Sequence, residues 1–289
     1  MRNYDFVFSL GSSCGVTQAL RAAGLQFASY PFDWTATPRL AAAVGMLERD
    51  FAGWIEADDL KLWDVRHGTG FCTRCYLNAK TMFGFSHEFS DFERFETSYP
   101  RVREMYARRC GRLLEQLRSA RRILGVYCEL PIRRPISRDA LGDAVRRLRA
   151  KFPQGSFDLL YFCEDPACAT PVAEEVLDGV TVVRCNYRLL EKGRVVPFID
   201  NSPMTGYLRA NVCADRKESD ADERRFATDM KKIATLRWGK DKGVLRRWCN
   251  RHLYQLYRHL ESTLRKRGVI HPEPPLWFGY EEMVAQEGE

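Results

Sequence analysis

The apolar pattern starts with an unbroken run, Phe6-Val7-Phe8-Ser9-Leu10, of the length and composition of a buried β-strand. Gly11, Ser12 and Ser13 turn the chain. From Cys14 the period changes to that of a helix, with Val16, Ala19, Leu20 and Ala23 on one face, and Gly24 ends it. Leu25 to Tyr30 is a second short run, closed by Pro31-Phe32-Asp33-Trp34. Thr37-Pro38 starts a helix that carries Leu40, Val44, Leu47 and Phe51 inward. Residues 58 to 85 alternate only weakly and predict irregular strands or a long structured loop. Pro100 to Leu117 reads as a helix, Ile123 to Leu130 as a strand, and Ser137 to Lys151 as a helix with serine as its N-cap. A strand at Phe157 to Phe162, a short helix at Pro171 to Leu177 and a strand at Val180 to Cys185 follow, with one more strand at Gly193 to Ile199. Strands alternating with helices at these spacings predict an α/β fold: a mostly parallel sheet with flanking helices in a Rossmann-like layout.

Charge divides the chain. Residues 231 to 267 hold twelve Lys or Arg against Asp241 and Glu261, on a chain whose net charge is +7. Leu245, Trp248, Leu253, Leu256, Tyr257, Leu260 and Leu264 form an apolar stripe among these cations. The reading is an α/β core domain over 1–213 and a basic helical segment over 214–289 packed on it. Such a segment suits an acidic partner or an anionic membrane surface. Its aromatics at helical spacing fit a core better than a base-stacking platform, so nucleic acid is not expected. No apolar run approaches a membrane span, and the first residues lack the pattern of a signal peptide, which predicts a cytoplasmic protein. The ten cysteines are scattered, several within strand-like runs (Cys128, Cys163, Cys185), and read as reduced small hydrophobes.

Cys14 is the residue with the clearest chemical potential. A thiol in the first turn of a helix that follows a buried strand meets the positive end of the helix dipole and unpaired N–H groups, which favour the thiolate. Strand, tight turn and nucleophile at a helix start is a recurring arrangement in covalent catalysis. The same Gly11-Ser12-Ser13-Cys14-Gly15 turn offers a second reading, a phosphate cradle in a nucleotide-sugar-dependent glycosyl- or phosphosugar transferase. It is, however, neither Gly-x-Gly-x-x-Gly nor a P-loop with its lysine, and no cofactor is implied. Cys72 and Cys75, with His67 and His87, supply residue types that zinc accepts, but a second Cys-x-x-Cys is missing and no metal is expected.

The stretch from Phe6 to Trp34 resembles the N-terminal signature of a bacterial family of papain-like cysteine peptidases. There a Ser-Leu-Gly turn precedes a cysteine, a Leu-Arg pair closes the helix, and Tyr-Pro-Phe-Asp-Trp follows; Leu20-Arg21 and Tyr30 to Trp34 match here. The family's His-Asp-Phe-like triplet is similar to His87-Glu88-Phe89, with glutamate for aspartate, and its Tyr and Arg-Arg segment to Tyr106 to Arg109. The likeness spans most of residues 4 to 130. It implies a cysteine hydrolase or acyl transferase acting on a small-molecule, peptide or glycan substrate. Cys14 would be the nucleophile, His87 the base (ahead of His67, His252, His259 and His271), and Asp33, or failing it Asp200, the orienting acid. Gly11, Ser12, Ser13 and Gly15 would line an oxyanion and substrate site beside Trp34. Papain-like topology places the cysteine helix ahead of an antiparallel sheet, whereas strand, turn and nucleophile in this order fit an α/β-hydrolase layout better.

Overall fold

The computed structural model describes residues 2–68, 71–90, 94–191 and 194–214. The basic segment and the aromatic tail lie outside the described residues. In chain order the elements are β1 (Arg2–Tyr4), β2 (Phe6–Gly11), α1 (Cys14–Ala22), a 3₁₀ turn at Pro31–Trp34, β3 (Thr35–Ala36) and α2 (Leu40–Glu48). Then come β4 (Leu60–Gly68), β5 (Phe71–Asn78), β6 (Gly84–Ser90), α3 (Phe95–Ser119), β7 (Arg122–Cys128) and α4 (Arg138–Lys151). The last are β8 (Ser156–Glu164), β9 (Val172–Leu177), β10 (Val180–Cys185), β11 (Arg188–Glu191), β12 (Arg194–Ile199), α5 (Ser202–Asn211) and β13 (Val212–Ala214).

The central sheet runs β2-β7-β8-β10-β9. Its first four strands are parallel, and β9 returns antiparallel along the outer edge of β10. Both faces are covered, which is why β2 is buried at every position and reads as a continuous apolar run. Val7, Leu124, Val126 and Phe162 meet α1 and α5 through Val16, Leu20, Met204 and Leu208. Phe6, Phe8, Ile123 and Tyr127 share the opposite core with residues of α2, α3 and α4. Serine 137 caps α4 as its sequence predicts, accepting from the Ala140 N–H at 3.3 Å.

Two elements differ from expectation, and a third settles an alternative. Strands β4, β5 and β6 join β3 in a second, antiparallel sheet of order β3-β6-β5-β4 with register shifts in its pairings, so irregular strands and not a long loop occupy this stretch. Pro171 to Leu177 holds no helix: its Val172–Leu177 part is the edge strand β9, which pairs with β10. Helix α3 starts at Phe95 and carries Pro100 inside it, where the proline gives up one N–H. The second sheet stacks its aromatics against α3 and the 3₁₀ turn. Trp54 lies 4.6 Å from Phe83, and Phe32 packs on Phe51, Trp54 and Phe83. This cluster anchors the turn that follows α1 and so fixes where the Tyr30–Trp34 motif sits. Among the described residues no helix is long and apolar enough to cross a membrane.

Candidate active site

Strand β2 ends in a turn with little freedom. Gly11 has a φ of +103°, and a side chain there would bring its Cβ within 2.3 Å of Thr37 Oγ1, so only glycine fits. The Ser12 N–H and hydroxyl both donate to the Cys128 carbonyl at the end of β7. The Thr37 N–H donates to the Ser12 carbonyl at 3.0 Å. Ser13 is extended and acts as N-cap, its hydroxyl accepting from the Gly15 N–H at 3.3 Å. Cys14 is therefore the first residue of α1, partly exposed, at the carboxyl end of the parallel strands. That end of a parallel sheet is where α/β folds place ligands, and the first helical turn is where a thiolate gains most from the dipole.

Cys14, Thr17 and Arg21 fall at i, i+3 and i+7, one stripe of α1. Below Cys14 that stripe is held by Asp33, which is wholly buried. Its carboxylate accepts from the Thr17 hydroxyl at 3.0 Å, the Gln26 amide at 2.6 Å and the Tyr30 N–H at 2.7 Å, and faces the Arg21 guanidinium at 3.7 Å. Burial pushes the Asp33 carboxyl above the usual range, against the pull of Arg21 and the three hydrogen bonds. Burial likewise lowers the Arg21 guanidinium, with Asp33 opposing and the nearby Arg109 charge adding to the fall. The Arg21 guanidinium also lies over the Trp34 ring at 5.0 Å.

His87 reaches this junction from β6. Its ring meets that of Trp34 edge-on, with centroids 6.0 Å apart, and it is partly exposed. Glu88 turns inward, accepts from the His87 N–H at 3.1 Å and pairs with buried Arg109 at 3.5 Å. Arg109 in turn lies over Tyr106 at 5.1 Å. Burial, with the Glu88 charge behind it, raises the Tyr106 phenol well above its ordinary value. The four motif segments, Leu20-Arg21, Tyr30 to Trp34, His87 to Phe89 and Tyr106 to Arg109, thus converge in space.

Residues 5–141 match the family model described as "putative papain-like cysteine peptidase". The match covers just under half of the chain and includes every motif segment above. No curated protein and no solved structure matches the chain. Within the segment that matches this family, a strand precedes the cysteine helix and continues into a parallel sheet, so the expected departure from papain topology is observed.

The other candidates lie as follows. Gly15 is buried in the first turn of α1, and Trp34 is partly exposed beside His87. Asp200 is exposed before α5, its carboxylate accepting from the Ser202 N–H at 2.9 Å. His252, His259 and His271 fall outside the described residues. Among those described, no group of three His, Cys, Asp or Glu is arranged to hold a metal. Sequence reasoning missed Thr17 and Gln26, which ligate Asp33, and the buried pair Glu129 and Arg133 beside the cysteine turn. A charged Glu-Leu-Pro-Ile-Arg stretch directly after a buried strand was the available signal. A broad groove between α4 and β9, lined by Ser137, Arg146 and Leu177, includes none of the motif residues.

Proposed function

We propose that the chain is a cysteine hydrolase or acyl transferase in which Cys14 attacks and His87 exchanges the proton. The observation that carries this reading is the shared junction. The α1 stripe that starts with Cys14 and the strand that carries His87 both close on the Asp33–Trp34 turn. In the proposed reaction the Cys14 thiolate adds to the carbonyl carbon of an ester, amide or peptide. The oxyanion forms at the N-terminus of α1, where the backbone N–H of Cys14 would donate to it. His87, holding the thiol proton, delivers it to the leaving alcohol or amine as the carbon–oxygen or carbon–nitrogen bond breaks. Water or an acceptor nucleophile then cleaves the thioester, giving its proton to His87.

Asp33 supports the pair in this reading by bracing α1 to the turn, since its carboxylate already accepts from three donors. Trp34 supplies the wall against His87. Ser12 directs both of its donors inward to Cys128, which leaves it the task of holding the turn. The test is trapping. Incubation with activated esters should add one acyl group at Cys14, removable by hydroxylamine and absent in Cys14→Ser; no adduct with any ester or amide would refute the reading.

A second reading, nucleotide-sugar-dependent glycosyl or phosphosugar transfer, draws on one observation: the Gly11–Gly15 turn opens a helix at the carboxyl end of a parallel strand. Thermal stabilisation by nucleotide sugars that persists after Cys14 is alkylated would favour it.

A further inference from the structure

Behind the cysteine turn three loops meet, and one buried ion pair joins them. Glu129 follows β7 and is 2% exposed. Its N–H donates to the Phe162 carbonyl at 2.9 Å and its carbonyl accepts from the Tyr187 hydroxyl at 2.7 Å, so its backbone is fixed to the sheet. Its carboxylate accepts from the Leu130 N–H at 3.0 Å and from Arg133 Nη1 at 3.4 Å. The Arg133 side chain is wholly buried, and the same Nη1 donates to the Thr37 carbonyl at 3.3 Å. The Thr37 N–H then holds the Ser12 carbonyl at 3.0 Å, two residues before Cys14. Thr37 also presses its side chain on Gly11. Burial raises the Glu129 carboxyl, with Arg133 the strongest opposing influence and Arg39 a further cation facing it.

A buried ion pair is weak evidence for stability, because desolvation cancels much of the attraction; what it supplies is geometry. We propose that Arg133, locked by Glu129, is a positioning residue for Cys14: through Thr37 and Ser12 it sets the angle at which the first turn of α1 meets the end of the sheet. This rests on the reading of Cys14 as an activated nucleophile. Both contacts come from one nitrogen, Nη1, whose two N–H groups are held in the guanidinium plane; the freely rotating ammonium of a lysine does not hold that geometry.

The pH midpoint of Cys14 alkylation, followed by peptide mass spectrometry, tests it in the full chain. Arg133→Met removes both the charge and the Nη1 donor; Arg133→Lys keeps the charge and loses the planar donor, and is the variant more certain to fold. Both should move the midpoint up by about one pH unit, or about tenfold in rate at pH values below it. Leu148→Ala, a core truncation in α4 remote from the turn, should lower the melting temperature and leave the midpoint in place. The inference is overturned if Arg133→Lys keeps the wild-type midpoint, or if Leu148→Ala moves it equally. An ordinary midpoint already in the wild type refutes the nucleophile reading and removes this inference with it. A low wild-type midpoint with unmoved Arg133 variants refutes this inference alone.

Discussion

Asp33 shows how a single buried side chain ties motif to motif. Removing its carboxylate in Asp33→Ala takes away the anion that faces the Arg21 guanidinium, which keeps Ser29 Oγ at 2.9 Å, and removes an acceptor from the Thr17, Gln26 and Tyr30 donors. Breaking a buried charged pair in this way costs about 3–5 kcal/mol, which urea denaturation should register as a lower midpoint. Ser13→Ala removes the cap of α1 and should cost about 1 kcal/mol by the same measurement. At this scale the sequence was legible where chemistry is local. Cys14 at a helix start and the Ser13 turn follow from neighbouring residues, and His87 was singled out through its motif. The Arg133–Thr37 contact was not legible, because its partners are 96 positions apart and neither residue type is distinctive.

Strand β9 illustrates the limit of local preference. Val172-Ala-Glu-Glu-Val-Leu carries good helix formers behind a proline, and the short-helix expectation was reasonable from them. Antiparallel pairing with β10 overrides that preference, and Glu174 and Glu175 find their partners in Arg184 and Arg2 across the sheet edge. The weak alternation of residues 58–85 has a similar explanation. Its pairings carry register shifts, so the inward and outward positions fall out of step. The strands β2, β7, β8 and β10 were readable because both of their faces are buried. Amide hydrogen exchange should follow this division, with β7 and β8 slowest and the β9 edge fastest within the central sheet. Equal protection across β8, β10 and β9 would contradict it.

Across the molecule the buried thiols shape the response to pH. Burial raises Cys110 and Cys185 to about 12 and Cys163 to about 11, from an ordinary value of 9.0. A raised value means that the folded state keeps its proton where the unfolded chain has lost it. The stability these groups contribute is complete below about pH 9 and declines as pH rises towards their folded values. The melting temperature should therefore fall between pH 9 and 12, and less steeply in a Cys110→Ala, Cys185→Ala variant. The same burial leaves these thiols protonated and inaccessible at neutral pH, so that a thiol reagent can discriminate Cys14 from them. The parallel sheet and its cysteine-bearing edge were visible as a whole in the order of strands and helices. The antiparallel sheet that delivers His87 was visible only as weak alternation, since its pairings carry register shifts.

The most direct test of an activated cysteine is the pH profile of Cys14 alkylation by iodoacetamide, read by peptide mass spectrometry in wild type and in His87→Ala. A Cys14–His87 pair predicts a midpoint well below the ordinary thiol range, moving upward when the imidazole is removed. A Cys14 that titrates as an ordinary thiol, or does not react, and that ignores the loss of His87 would contradict it.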